Sequence, residues 1–183
     1  MVFPKRYAEA VARTRVTAGF VVAALFVVLS EPSIQSLGLG ASVALPGMLL
    51  RGWAAGHLEK NQRLTTSGPF AHLRNPLYVG TLIAGFGFVL AVNHIGLGAL
   101  MLAFFLLFYL PVVEEEESHL RKLFSEYANY EARVRKFRPS FKAQYRTGQS
   151  FQWALYIRNR EYQALAGFCA GMALLAGKIL LLG

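Results

Sequence analysis

Basic residues in this chain fall into three segments separated by apolar runs. Four Lys or Arg precede position 16, four lie between Arg51 and Arg74, ten lie between Arg121 and Arg160, and Lys178 alone falls elsewhere. The runs between them approach the ~20 residues that cross a bilayer as a helix. Placing the N-terminus in the cytoplasm puts the three basic segments on one side, as the bias of Lys and Arg toward the cytoplasmic face requires. The sequence therefore predicts an all-α, polytopic membrane helix bundle of about five transmembrane helices, as one domain over 1–183. The spans are expected at 16–30, 37–56, 76–92, 97–113 and 162–182. Lys178 is expected to snorkel at the far end of the last one.

Composition agrees with this frame. Of 183 residues, 55% are hydrophobic and 16% charged, and the mean hydropathy is +0.38, too apolar for a soluble domain of this length. The apolar residues come in blocks rather than in alternating ten-residue segments, which argues against a barrel. The formal charge of +9 is partitioned by topology, so it speaks for anionic headgroups and against nucleic acid. Cys169 is the single cysteine; it cannot form an intrachain disulfide, and no His or carboxylate cluster in the sequence accompanies it as a metal site.

Two polar segments, 62–80 and 114–139, flank the hairpin of the third and fourth spans on the cytoplasmic side. In the first, SGPFAHLRNPLYVG runs from 67 to 80. Ser67-Gly68-Pro69 is a turn signal, and Asn75-Pro76 reads as a helix start, with Asn as N-cap and Pro at the first helical position. Capping accounts for these two residues but not for Arg74 beside them or Tyr78 after them. A helix start also presents free N–H groups and partial positive charge to an anion.

In the second segment, Leu120, Leu123, Tyr127, Tyr130 and Val134 recur at spacings of 3 and 4, one face of a single helix. At about 100° per residue, Glu116 and Glu117 fall on or near that face, whereas Glu114 and Glu115 point away as solvated charges. Glu116 is taken as the inward carboxylate, and it needs a partner.

The pairing of SGPFAHLRNPLYVG with the later EEEESHLRKLFSEYANYEARV resembles the signature of the isoprenylcysteine carboxyl methyltransferase and phospholipid methyltransferase superfamily. The resemblance covers about residues 62–139. It implies an integral membrane enzyme that uses S-adenosyl-L-methionine to methylate a lipophilic acceptor, isoprenylcysteine carboxylate-like or phospholipid amine-like. It places cofactor contacts on Gln62, Arg63, Leu64, Thr65, Phe70, Asn75, Pro76, Leu77, Tyr78 and Glu116. Arg74 and Glu116 take the catalytic, positioning roles, and no metal is implied. Asn75 stands where the carboxyl methyltransferases carry His, and Ser125 where the family has Gly. Val112 occupies the position of the Arg that binds a prenylcysteine carboxylate, which puts that acceptor in doubt.

Methyl transfer from a sulfonium demands proximity and alignment above all. A carboxylate acceptor needs no base, whereas an amine must first lose a proton. Among the histidines, His72 within the motif is the candidate base, while Tyr127 and Tyr130 read as packing residues. Two alternatives stay open: a nicotinamide-dependent reductase of the sterol reductase type, using Arg133 to Arg138 for a nucleotide phosphate, and a non-catalytic membrane scaffold. Residues 146–160 read as an interfacial helix leading into the last span.

Overall fold

The computed structural model describes residues 4–145 and 148–182. Among these there is no strand. Seven helices follow in order: α1 (Lys5–Leu29), α2 (Ile34–Ala55), α3 (Pro76–Val92), α4 (Ile95–Leu123), α5 (Tyr127–Arg133), α6 (Trp153–Arg158) and α7 (Glu161–Leu182). A 3₁₀ turn, Gly68–Ala71, lies between α2 and α3. Part of the expected interfacial helix at 146–160 falls outside the described residues; within them α6 forms its helical portion.

Five of these helices are long. By length and composition α4 and α7 are the candidate membrane spans, and Val16–Leu29 and Pro76–Val92 are shorter apolar helices. In α2, small residues dilute the apolar character, and the packing shows why. A Cβ on Gly40 would lie 2.5 Å from the Gly87 carbonyl, and one on Gly47 would lie 2.6 Å from the Gly80 carbonyl. Gly40, Ala44 and Gly47 thus press directly on Gly80, Ala84, Gly87 and Ala91 of antiparallel α3, the close backbone approach that small residues permit in membranes. Large apolar side chains such as Phe20, Ile34, Leu49, Ile95 and Leu180 face outward.

Two prolines sit inside helices without ending them. Pro46 lies within an unbroken α2. Pro111 in α4 cannot donate to the Leu107 carbonyl, and its ring crowds that oxygen. The chain answers with a π-helical stretch, Phe105–Tyr109, and with the Tyr7 hydroxyl, which donates to the Leu107 carbonyl at 2.7 Å. α4 therefore runs on through all four glutamates.

Two expectations change here. Lys178 does not reach for solvent: its Nζ donates to the carbonyls of Val27, Val28 and Ser30 at 3.0, 3.0 and 2.6 Å, closing the C-terminal end of α1. The helix expected from Leu120 to Val134 is two helices, because Phe124 is extended and Ser125-Glu126 form a turn. The break shifts the phase, so Leu123 is exposed and Phe124 joins Leu120 against the buried cluster of Leu64, Tyr127, Tyr130 and Val134.

Candidate functional site

The two polar segments close on one another. Arg74 N–H donates to the Arg135 carbonyl at 2.9 Å, Ser140 N–H to His72 at 3.0 Å and Gln144 N–H to Ala71 at 2.8 Å. The Tyr130 hydroxyl donates to the Phe70 carbonyl at 2.8 Å, tying α5 to the 3₁₀ turn. Burial raises the phenol pKa of Tyr127 and of Tyr130; both stay protonated, which suits packing with a donor hydroxyl.

These contacts enclose a cleft of about 580 Å³. One wall is the α2–α3 connection, with Leu58, Arg63, Leu64, Thr65 and Phe70. A second is the start of α3, with Arg74 to Tyr78 and Thr81. The third is α4, with Tyr109, Val112, Glu115, Glu116, His119 and Leu120, and Tyr127, Tyr130 and Arg51 complete the lining. Of the residues predicted from sequence, Arg63, Leu64, Thr65, Phe70, Arg74, Asn75, Pro76, Leu77, Tyr78 and Glu116 all line this one cleft; Gln62 is exposed and does not.

Glu116 meets α3 across the cleft, where its Oε2 accepts from the Tyr78 hydroxyl at 2.8 Å. The deeply buried carboxylate is its neighbour. Glu117 is 1% exposed; Oε1 accepts from Asn75 Nδ2 at 3.0 Å and lies 3.4 Å from Arg74 Nε, and Oε2 lies 3.0 Å from Lys136 Nζ. Asn75 is accordingly not a side-chain N-cap. Its amide is turned toward Glu117 instead, because a buried carboxylate is a stronger acceptor site to satisfy than a helix N–H that can meet solvent or ligand.

Around this pair the charges are stitched together. Arg74 Nη1 donates to Glu131 at 3.1 Å, and Arg121 holds Glu131 at 2.7 Å. The Arg121 hydrogen bond, helped by Arg74, keeps the Glu131 carboxyl below its ordinary pKa. Lys136 pairs with Glu114, so that carboxylate is not simply solvated. Although partial burial opposes its charge, the bonds to Glu114 and Glu117 win and raise its pKa.

His72 stands outside the cleft: its Nδ1 donates to the Ser140 carbonyl at 2.7 Å, and its ring packs near Trp53. His57, between Trp53 and Phe151, is buried, has its pKa lowered by that burial, and shares a 2.9 Å hydrogen bond with Ser67. The connection that carries the cleft wall is anchored from the C-terminal side. Asn159 Nδ2 donates to the Ala55 and Leu58 carbonyls, each at 2.9 Å, and Gln149 Nε2 to Glu59 at 2.9 Å. Sequence reasoning missed Tyr109, Thr81 and the pairing of Arg51 with Glu161. A charged residue in an apolar run was the available signal for Arg51.

At Tyr109 and Val112 the cleft adjoins an apolar groove of about 370 Å³ between α1 and α4, lined by Val16, Gly19, Phe20, Ala23, Phe104 and Phe108. Among the described residues no group of three or more His, Cys, Asp or Glu is placed to hold a metal ion.

The chain is 34% identical over 130 residues to the cobalt-zinc-cadmium resistance protein CzcN of Cupriavidus metallidurans, covering 69% of this chain and 57% of that protein. It is 32% identical over 103 residues to the nickel-cobalt-cadmium resistance protein NccN of Alcaligenes xylosoxydans xylosoxydans, covering 55% and 47% respectively. The chain thus spans about half the length of the curated relatives it matches. No solved structure matches it. The phospholipid methyltransferase family model matches residues 14–127, from α1 through the glutamates of α4 to Tyr127. On that match, over more than half its length, the chain belongs to the phospholipid methyltransferase family.

Proposed function

We propose that this chain is a membrane-embedded methyltransferase that uses S-adenosyl-L-methionine to methylate a lipophilic acceptor. Its five long helices span the bilayer, and the N-terminus and cleft lie on the cytoplasmic side. The observation that carries this reading is the junction at Tyr109 and Val112, where a polar cleft lined by both family segments meets an apolar groove open between α1 and α4. A cofactor with charged and aromatic parts suits the first compartment, and an alkyl chain suits the second.

The residues fit the cofactor. The cleft has the size of a small-molecule site, and Arg63, Thr65, Asn75, Tyr78 and Glu116 supply donors and acceptors on facing walls. When bound, S-adenosyl-L-methionine supplies a methyl group on a positively charged sulfur. The chain itself contributes alignment. Tyr78 and Tyr109 meet edge to face with ring centroids 6.0 Å apart, and Glu116 accepts from Tyr78 beside them. Aromatic faces with a carboxylate form a seat for positive charge. With Val112 where a carboxylate-binding Arg would stand, this seat favours an amine-bearing acceptor over a carboxylate. Glu116 is placed to hold the ammonium form or receive its proton.

Calorimetry on the purified protein in detergent tests the reading. S-adenosylhomocysteine binds, Tyr78→Ala and Glu116→Ala weaken it, and incubation with labelled cofactor and total lipid extract labels an amine lipid. A folded protein that binds no S-adenosylhomocysteine ends the proposal. Titration with NADPH alongside separates the reductase alternative, whose candidate residues Arg133 to Arg138 do not line the cleft. The likeness to CzcN and NccN favours one further reading, in which the methylation serves resistance to metal ions. Host cells lacking the gene would then regain cobalt, zinc or cadmium tolerance from the wild type and not from Glu116→Ala.

A further inference from the structure

Arg51, near the end of α2, and Glu161, the first residue of α7, lie far apart in sequence and outside both motif segments. Arg51 Nε and Nη2 donate to Glu161 Oε1 and Oε2 at 2.7 and 2.9 Å, a two-pronged pair. Nη1 turns the other way, donating to the Thr81 hydroxyl and, at 3.4 Å, to the Leu77 carbonyl. One guanidinium therefore joins three helices. Glu161 is 7% exposed, so the pair sits in a poorly solvated place where a broken partner is costly.

The path of Arg51 is prepared by α3. A Cβ at Gly80 would lie 2.6 Å from Arg51 Cγ, so the side chain reaches Thr81 and Leu77 only because position 80 has none. Arg51, Leu77 and Thr81 all line the cleft, and Tyr78 stands directly after the carbonyl that Arg51 approaches. The planar guanidinium fork fixes direction as well as distance.

We infer that Arg51 and Glu161 are positioning residues for the cleft: α7, through Glu161, sets Arg51, and Arg51 sets the first turns of α3 so that the Tyr78 hydroxyl reaches Glu116. Glu161 lies beyond the matched residues 14–127, so the last helix of this chain governs a site built from the family's shared part. The consequence for activity rests on the methyltransferase reading; the consequence for α3 does not.

The test uses the full chain in detergent, with hydrogen exchange read along α3 and S-adenosylhomocysteine affinity read by calorimetry. Glu161→Ala is expected to speed exchange at residues 77–81 and weaken affinity, each by about tenfold, as the loss of a charge-assisted hydrogen bond predicts. Glu161→Gln, which keeps one acceptor, falls between. Lys178→Ala removes the other cation that ties α7 to a neighbour; it lowers the melting temperature and leaves residues 77–81 and affinity unchanged.

Unchanged exchange at 77–81 in folded Glu161→Ala overturns the inference, as does faster exchange spread evenly over all helices, which assigns the pair to general stability. Where Glu161→Ala does not fold, Arg51→Lys keeps the charge but loses the planar fork that spans Glu161 and Thr81 and is expected to loosen the same turns; no change there overturns the inference. A wild type that binds no S-adenosylhomocysteine defeats the methyltransferase reading, while exchange at 77–81 still decides the pair.

Discussion

Glu116 and Glu117 are neighbours with different work, and alanine at each position separates them. Removing the Glu117 side chain leaves Asn75, Arg74 and Lys136 facing a void where a carboxylate 1% exposed had accepted from Asn75 and paired with the two cations. Breaking a buried pair in this way costs about 3–5 kcal/mol. Two features pull toward the lower end: Lys136, 25% exposed, keeps Glu114, and Arg74 keeps Glu131. At about 3 kcal/mol, and with roughly 2–4 °C per kcal/mol for a chain of this size, Glu117→Ala melts about 6–12 °C below wild type. Glu116 faces the cleft with Tyr78 as its partner, so Glu116→Ala costs about 1 kcal/mol or less in stability and acts on ligand affinity instead. Thermal melting in detergent, followed by tryptophan fluorescence and paired with calorimetry, reads both. The reasoning is refuted if Glu117→Ala melts within about 2 °C of wild type, or if Glu116→Ala is the less stable of the two.

Three further outcomes follow from the same geometry. Burial holds the His57 imidazole below its ordinary pKa of 6.5. The unfolded chain therefore takes up a proton before the folded one does. Its contribution to stability is complete above pH 6.5, is lost as pH falls from there through the depressed folded value, and leaves a pH slope in melting scans that His57→Asn flattens. Gly87→Ala places a methyl 2.5 Å from the Gly40 carbonyl and Ala44 N and is expected to cost about 2 kcal/mol or more through forced separation of α2 and α3; Gly177→Ala, with nothing nearby, leaves the melting temperature unchanged or slightly higher. Tyr130→Phe deprives the buried Phe70 carbonyl of its donor and should cost about 1–3 kcal/mol, read by the same melt.

The long helices were legible because apolar runs bounded by polar segments announce themselves one at a time. Their pairing was not. Gly40, Ala44 and Gly47 are visible as small residues, yet nothing in a single sequence says that Gly80, Ala84 and Gly87 receive them. The motif segments were legible as partners through order and spacing, and all their predicted residues but Gln62 share one cleft. The break at Phe124 was hidden, since a 3–4 spacing assumes an unbroken helix, and one extended residue passes the inward position from Leu123 to Phe124. Arg51 and Glu161 were each visible as a charge beside an apolar run, but their pairing closes through space across most of the chain.

The four glutamates show where periodicity stops deciding. Adjacent residues on a helix differ by about 100°, so two neighbours can flank one face and still look into different surroundings. Counting from Leu120 puts both Glu116 and Glu117 near the inward face. The choice of Glu116 as the inward carboxylate is corrected to Glu117, the one that is buried, because the count does not say what lies opposite each. What lies opposite comes from other elements: Asn75 and Lys136 with Arg74 meet Glu117, whereas Tyr78, one turn into α3, meets Glu116. Asn75 and Tyr78 are themselves three apart, on one face of the same helix start. The two carboxylates therefore grip α3 at successive points, the inner one closed by cations and the outer one left toward the cleft. A buried charge closed in by one amide and two cations is spent on structure; one held by a single hydroxyl still has lone pairs to offer a ligand.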